Sequence, residues 1–460
     1  MIRVLLATLL LGSYAQADEA LCLQHTEQIL DRIGCLENVA KVTEQKKLGT
    51  LRQFEIEYTQ YADHNDPSRG TFNQRLVLLH RSDIEPMVLQ TSGYMIYRIA
   101  ETAIAKMFKT NQLQVEHRFF ANSVPEGTDW TLLDIKQSAD DFHRITVDFK
   151  KIYTKRWVNT GASKGGMTSS YHRFFYPDDL DGTVADVAPL SFSRTDQRYN
   201  TFIRNVGGDT YKKCRADLAH FQKHMLKHRK KYMYRFTGEY THLDGKQMAY
   251  EHAVLEHPFY FWQYGNPESP NSGCKAIPDH HDDDAMFGFL QTHARLSNFT
   301  DRTIQRFMPY FYQAATQLGG PDNVTDHLEP YRLFEFGLEL YTPKGVELPY
   351  DNSMMRAVSN WVKTDAENMI FIYGTYDPWT AAEYDIGKND KVAKFYVPGG
   401  NHGVNFTDLH GENRKWAIWE IAEWLQKDPV VIETQGHIFE SPAKTLHQLE
   451  FEAKRELGIR

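Results

Sequence analysis

The feature that most restricts the fold of this chain is an alternation of strand-like and helix-like segments before residue 190. Short apolar runs at Met87–Thr91, Leu113–Phe120 and Trp157–Thr160 are separated by helix-like segments at Ile99–Phe108 and Ile135–Val147. Strands that alternate with helices predict a mainly parallel sheet covered on both faces. The sequence therefore predicts the α/β class.

The alternation stops near Ser191 and resumes after residue 350. Residues 192–350 lack a strand–helix rhythm, whereas Met369–Tyr373 and Ala393–Val397 again resemble buried strands and Glu412–Leu425 resembles a closing helix. We therefore expect a core at residues 18–190 and 351–460, the latter ending in a C-terminal tail, with a helical lid inserted at 191–350. Residues 18–50 have apolar positions at helical spacing and predict a helical lead-in.

The N-terminus has the pattern of an export signal. Arg3 precedes the apolar run Val4–Leu11, and Ala15-Gln16-Ala17 has the form of a cleavage site. Residues 1–17 therefore predict a cleaved signal peptide and a secreted or periplasmic protein. The run is too short to span a membrane, and no membrane partner is expected. The formal net charge of −8 provides no basic footprint for nucleic acid.

Four cysteines are present in this chain, and an even number in an exported protein suggests two disulfides. Four cysteines allow three pairings. Proximity in sequence favours Cys22 with Cys35 and Cys214 with Cys274. Four unpaired buried thiols are the alternative.

The pattern Gly161-Ala162-Ser163-Lys164-Gly165 is a G-x-S-x-G that lies between a predicted buried strand and a predicted helix. This context is that of a nucleophile elbow, a sharp turn that exposes a serine hydroxyl at the edge of an α/β-hydrolase sheet. The small residues leave space for neighbouring backbone. A phosphate-binding loop is the alternative, but the lysine is misplaced for that motif. We predict Ser163 as the nucleophile of an α/β-hydrolase.

A serine nucleophile needs a histidine to accept its proton and a carboxylate to orient that histidine. In this fold their order along the chain is serine, acid, histidine. Asp377 and His402 follow that order, each in a loop just after a predicted strand. They complete the predicted catalytic triad, ahead of the competing residues Asp385, Asp408 and His410.

An oxyanion hole should accompany the triad. One donor is expected to be the backbone N–H of Lys164, and the other should come from the turn after Met87–Thr91. Gly93 and Tyr94 are the two candidates in that turn.

Several segments, most of them outside these sites, resemble secreted serine peptidases of family thirty-seven, the tripeptidyl aminopeptidase type. That group is related to prolyl carboxypeptidase and dipeptidyl peptidase. The segments that carry the resemblance are Gln60–His64, Gly70–Arg75, Glu116–Phe120, Thr160–Gly166, Phe261–Gly265, Gly374–Trp379 and Gly399–Gly403. The resemblance implies Ser163, Asp377 and His402 as the triad under a helical lid. It also implies release of short peptides, di- or tripeptides and often after proline, from free N-termini, without a cofactor.

An aminopeptidase must bind a cationic amine, which requires a buried or half-buried carboxylate. Glu335 and Glu116 are the candidates, although Glu116 is more simply explained as a scaffold residue. Trp379, beside the predicted acid, is a further candidate for contact with substrate. The run His280–Asp284 is expected to be a solvated loop, and no metal is predicted.

Other functions remain compatible with the same residues. An esterase or lipase, or a hydrolase resembling prolyl carboxypeptidase, would use the same triad. A non-catalytic binding protein on a hydrolase scaffold is more remote, because the serine, aspartate and histidine are all intact. The predicted partners are peptide substrates, and the sequence does not indicate an oligomeric state.

Overall fold

The computed structural model describes residues 18–427. The predicted signal peptide and residues 428–460 of the predicted tail lie outside them. The described chain forms two compact units, residues 18–184 with 416–427 and residues 185–415. Strand β7 (Gly182–Asp186) and helix α12 (Gly411–Leu425) each begin in one unit and end in the other.

The first unit is built on a twisted sheet with the strand order β1-β2-β3-β5-β4-β6. The strands are β1 (Val39–Leu48), β2 (Leu51–Tyr61), β3 (Thr71–His80), β4 (Met87–Thr91), β5 (Asn111–Val115) and β6 (Trp157–Ala162). The β1–β2, β2–β3 and β3–β5 pairs are antiparallel, whereas β4 is parallel to both β5 and β6. The sheet is therefore of the predicted α/β kind, with an antiparallel part that the strand–helix rhythm does not predict.

The helices of the first unit cover this sheet. They are α1 (residues 18–25), α2 (Ile29–Gly34), α3 (Ala103–Phe108), α4 (Ile135–Lys150) and α5 (Lys164–Phe175). Phe142, Ile145 and Phe149 of α4 belong to the same buried core as Leu78 and Leu89 of the strands. Asp134 begins α4 as an N-cap, since its carboxylate accepts the N–H of Gln137 at 2.7 Å.

The predicted helical lead-in over residues 18–50 is only half correct. The chain is helical to Gly34 and then enters β1, a largely polar strand whose side chains are mostly exposed. Polar residues are common on edge strands because charged side chains oppose further strand pairing. The apolar residues keep a helical spacing from Leu30 to Val39, beyond the end of the helix at Gly34, and the prediction was too long for this reason.

The second unit contains β8 (Met369–Gly374) and β9 (Val392–Val397), which are parallel and completely buried. At the end of β7, the Val187 N–H donates to Ile372 O of β8 at 2.7 Å. Full burial on both faces is expected of parallel strands covered by helices. The α/β-hydrolase core predicted from the sequence is thus the observed fold class.

Between β7 and β8 the second unit is helical. Its helices here are α6 (Arg198–Asn205), α7 (Lys212–Lys227), α8 (Lys246–Tyr264), α9 (Asp283–His293), α10 (Asp301–Gln313) and α11 (Ser353–Thr364). They build a core of their own that includes Phe221, Tyr250, Trp262 and Phe289. The assignment of residues 191–350 as a separate lid domain stays a prediction.

Two disulfides stabilise the chain, one in each unit. Cys22 is bonded to Cys35, and Cys214 to Cys274. These are the pairings that proximity in sequence favours. Among residues 18–427, no helix is both long and apolar enough to cross a membrane.

Candidate active site

Ser163 occupies a sharp turn between β6 and α5 in the first unit. Its backbone has φ 56° and ψ −125°, a conformation that side-chain-bearing residues rarely adopt. The side chain is half-buried. The predicted strand–turn–helix context of the elbow is therefore present, with the strain expected of a nucleophile elbow.

The glycines on either side of Ser163 are required by close backbone contacts. A Cβ atom at Gly161 would lie 2.4 Å from the Gly165 carbonyl carbon, and one at Gly165 would lie 2.4 Å from Thr91 O. Contacts this short exclude any side chain without movement of the backbone. The turn is consequently packed directly on the end of β4.

The Lys164 side chain ties the elbow to the neighbouring loop. Its Nζ donates to Gly93 O at 2.7 Å, and it lies over the rings of Tyr94 and Phe120. Burial holds the pKa of Lys164 well below its usual range. Because a trans peptide directs its C=O and N–H to opposite sides, this hydrogen bond fixes the direction of the Tyr94 N–H.

Asp377 and His402 lie together in the second unit, in the loops that follow β8 and β9. His402 Nδ1 donates to Asp377 Oδ2 at 2.6 Å, and Asp377 Oδ1 accepts the Trp379 N–H at 3.0 Å. Asp377 is fully buried and His402 is 7% exposed. With its proton on Nδ1, the His402 ring keeps the lone pair of Nε2, and that atom has no hydrogen-bond partner within the described chain.

The loop that carries His402 is anchored to the end of α8. The His402 N–H donates to Gln263 O at 2.9 Å, and the Asn401 amide donates to Tyr264 O at 3.2 Å. The Tyr264 ring meets the His402 ring edge-on, with ring centres 5.9 Å apart. These contacts fix the orientation of the imidazole.

The three competing residues occupy other environments. Asp385 forms an ion pair with Lys363 at 2.8 Å, Asp408 accepts the N–H of Asn405 at 2.9 Å, and His410 is exposed. Asp377 is thus the acid that holds His402.

Trp379 forms a wall beside His402. Its ring lies 5.9 Å from the His402 ring and 5.3 Å from the Phe259 ring. It is half-buried, and its Nε1 is buried without a hydrogen-bond partner in the described part of the chain. This position suits contact with substrate.

The two predicted amine-binding carboxylates do not meet the burial and partner requirements. The Glu335 side chain is 98% exposed, so it lacks the burial expected of an amine-binding carboxylate. Glu116 is buried, accepts hydrogen bonds from the Ile96 N–H and the Ser123 hydroxyl, and has Arg75 nearby. Burial raises the pKa of Glu116. Its hydrogen-bonding capacity is used within the scaffold.

Sequence reasoning missed one face of α8, the face whose C-terminal end lies beside His402. Glu256, Tyr260 and Tyr264 are spaced four residues apart on this helix and so lie on one side of it. The spacing was visible in the sequence, but an acidic and aromatic stripe more often marks a helix surface than a site.

Two other features of the second unit lie elsewhere. A cavity of about 400 Å³ between α7 and α8 is lined by residues that include Leu218, Pro258 and Trp262, and by neither Asp377 nor His402. Asp279, His280 and His281 each bring one ligand atom to within 4.8 Å of the others, but all three are exposed. Such clusters are typical of solvated loops.

Comparisons with known proteins identify the family of this chain. A sequence model of the PS-10 peptidase S37 family matches residues 24–454. The chain is 35% identical to a prolyl tri/tetrapeptidyl aminopeptidase of Streptomyces mobaraensis over 451 residues, which cover 94% of this chain and 92% of the relative. The chain belongs to the S37 peptidase family. It is a serine exopeptidase of the aminopeptidase type.

Similarity to solved structures is lower. A crystal structure of VinJ has a TM-score of 0.37 and 13% identity, covering 79% of this chain and 92% of that chain. The proline iminopeptidase of Mycobacterium smegmatis has a TM-score of 0.33 and 14% identity, covering 72% of this chain and 88% of that chain. The family assignment rests on the sequence comparisons.

Proposed function

We propose that this serine exopeptidase releases short peptides, often ending in proline, from free N-termini by means of Ser163, His402 and Asp377. The observation that carries the proposal is the 2.6 Å hydrogen bond from His402 Nδ1 to Asp377, which leaves Nε2 as the acceptor. The strained turn at Ser163 supports its role as the nucleophile.

In the proposed reaction, Ser163 Oγ attacks the scissile carbonyl while His402 Nε2 takes the hydroxyl proton. His402 then gives that proton to the leaving amine, and an acyl-enzyme remains. In the second half, His402 Nε2 takes a proton from a water molecule that attacks the acyl-enzyme. His402 then returns the proton to Ser163 Oγ, and the short peptide is released. Asp377 keeps the imidazole in the required tautomer and stabilises its charged form.

The negative charge on the tetrahedral intermediate needs donors close to the elbow. The Lys164 N–H is one of the first-turn amides of α5, which have no acceptor within the helix. The second candidate donor is the Tyr94 N–H of the fixed Gly93–Tyr94 peptide, or the Gly93 N–H that precedes it. We assign the oxyanion hole to Lys164 with Gly93 or Tyr94.

Export is proposed together with this activity. The pattern of residues 1–17 predicts a cleaved signal peptide, and two disulfides are characteristic of oxidising compartments. The enzyme would then act outside the cytoplasm on peptides in its surroundings.

Product analysis tests the function directly. The protein is incubated with Xaa-Xaa-Pro-Xaa peptides that carry a free or an acetylated N-terminus, and mass spectrometry identifies the fragments. We expect N-terminal fragments that end in proline, released much faster from peptides with the free end than from acetylated ones. Cleavage at the C-terminus, or preferred hydrolysis of short aryl esters, would instead support a carboxypeptidase or an esterase.

A further inference from the structure

The face of α8 that ends beside His402 carries a carboxylate, Glu256, with unusual surroundings. Glu256 receives hydrogen bonds from the hydroxyls of Tyr341, at 3.0 Å, and Tyr260. Burial raises the pKa of Glu256 to about 7, because these two hydrogen bonds offset only part of the desolvation. The groups within residues 18–427 that shift this pKa include no lysine or arginine.

Another carboxylate on the same helix provides a comparison. Glu251 is fully buried, pairs with Arg229, and accepts the N–H groups of Leu333 and Phe334 at 2.9 and 3.0 Å. All its bonding capacity is used inside the protein, as expected of a structural ion pair. Glu256 has no such cation, and buried carboxylates without a cation are costly.

The surroundings of Glu256 are also accessible. Glu256 and Tyr260 are half-buried, as is Tyr310 on α10, which interacts electrostatically with Glu256. Tyr264, at the His402 end of the face, is 63% exposed. The face therefore combines a carboxylate that lacks a cation with a row of partly or fully exposed residues that leads toward His402.

The length of this face matches a short peptide. Residues 256 and 264 are eight positions apart on α8, which corresponds to about 12 Å along the helix axis. An extended chain covers roughly 3.3–3.6 Å per residue, so three residues span roughly 10 Å and four roughly 14 Å. A peptide whose scissile carbonyl lies at His402 would thus place its N-terminal amine near Glu256 when three or four residues precede the scissile bond.

We propose that Glu256 binds the α-ammonium group of the peptide substrate, and that its distance from His402 selects release of three or four residues. The Tyr260 and Tyr341 hydroxyls hold the carboxylate in place. This inference rests on the proposed function, since it takes His402 as the base that acts on the scissile bond.

Replacement of Glu256 by glutamine removes the charge and keeps the shape. For substrates that have a free N-terminus and release a tripeptide, we expect Glu256→Gln to lower kcat/KM roughly 10- to 100-fold, mostly through KM. This is the size of effect expected for loss of a hydrogen bond to a charged group. Slow cleavage of N-acetylated substrates should not change. The matched control is Glu347→Gln, an exposed acid of the same unit, which should leave both rates within twofold.

Two further measurements make the outcome decisive. Labelling of Ser163 by a fluorophosphonate should be unchanged in Glu256→Gln, because the small probe carries no amine. If wild-type labelling does not depend on Ser163, the proposed function fails and not the assignment of Glu256. Should Glu256→Gln not fold, Glu256→Asp keeps the charge and retracts it, and we expect a partial loss with a shift toward longer released peptides.

The inference is overturned if Glu256→Gln folds and still prefers free over acetylated N-termini as strongly as the wild type. It is equally overturned if folded Glu256→Asp leaves both KM and the length of the released peptide unchanged.

Discussion

The two regions that carry the proposed catalytic residues are built by different means. Around Ser163, position is set by the backbone, through a strained φ of 56° and glycines with no room for a side chain. Around His402, position is set by side-chain and loop hydrogen bonds to Asp377 and to the end of α8. The first arrangement depends on a five-residue glycine pattern, whereas the second depends on hydrogen bonds between residues up to more than a hundred positions apart.

This difference indicates which substitutions should disturb each region. The elbow should tolerate no added carbon atom but should depend little on charge. The His402 region should be sensitive to substitution only at groups whose hydrogen bonds orient the imidazole. Substitutions that separate these two sensitivities test the comparison.

The largest effect is expected at Asp377. Asp377→Asn should lower kcat roughly 10⁴-fold with little change in KM, because the amide favours the wrong tautomer of His402. Steady-state kinetics measure this loss. Asp385→Asn, an exposed acid on the following segment, is the control and should keep nearly full activity. A loss of less than tenfold in Asp377→Asn would remove Asp377 from the triad.

A large effect on stability is expected at Gly165. In Gly165→Ala the new Cβ would meet Thr91 O at 2.4 Å, so the free energy of unfolding should fall by about 1–3 kcal/mol. Chemical denaturation measures it. The control is Gly288→Ala in α9, where nothing lies within 4 Å of the new atom and stability should be unchanged or slightly higher. Equal stabilities of the two variants would contradict the account of the elbow.

A smaller effect is expected at Lys164, which positions the Gly93–Tyr94 peptide. Lys164→Met should lower kcat and the rate of fluorophosphonate labelling about tenfold, as for one misplaced oxyanion donor, while KM changes little. Stability should not fall, because a buried amine carries a desolvation cost. Loss of stability without loss of kcat would make Lys164 merely structural.

The pH dependence of that variant follows from the lowered pKa of Lys164. Between this lowered pKa and the ordinary lysine value, the unfolded wild-type chain binds more protons than the folded one. Wild-type stability therefore rises with pH in this window. Any advantage in stability of Lys164→Met should accordingly shrink as the pH increases, as denaturation at several pH values would measure.

The smallest effect on catalysis is expected at Glu116. Glu116→Gln should cost about 1–2 kcal/mol of stability through its hydrogen bonds to Ile96 and Ser123. Its preference for free over acetylated N-termini should stay within twofold of the wild type. A collapse of that preference would return Glu116 to the role of amine anchor.

The sequence predicted features that are set by local patterns. Strand β4 occurs at the predicted residues, and the strand–turn–helix around Ser163 is observed, because alternation and glycine spacing are local signals. The exposed edge strand β1 was missed, since its polar residues have no buried face to reveal it.

The carboxylate that we propose to bind the amine was not predictable in the same way. Glu335 is a candidate in the sequence, yet its side chain is 98% exposed. Glu256 and Glu251 lie on one helix, and only their partners distinguish them, because Arg229 pairs with one and tyrosine hydroxyls meet the other. Such partners come from distant segments and require the folded structure.

Labelling with a fluorophosphonate, followed by peptide mapping, tests the central claim most directly. We predict a single modified residue, Ser163, and complete loss of labelling in Ser163→Ala with unchanged circular dichroism and thermal unfolding. Undiminished labelling of folded Ser163→Ala, or modification of a different serine, would contradict the assignment of Ser163 as the nucleophile.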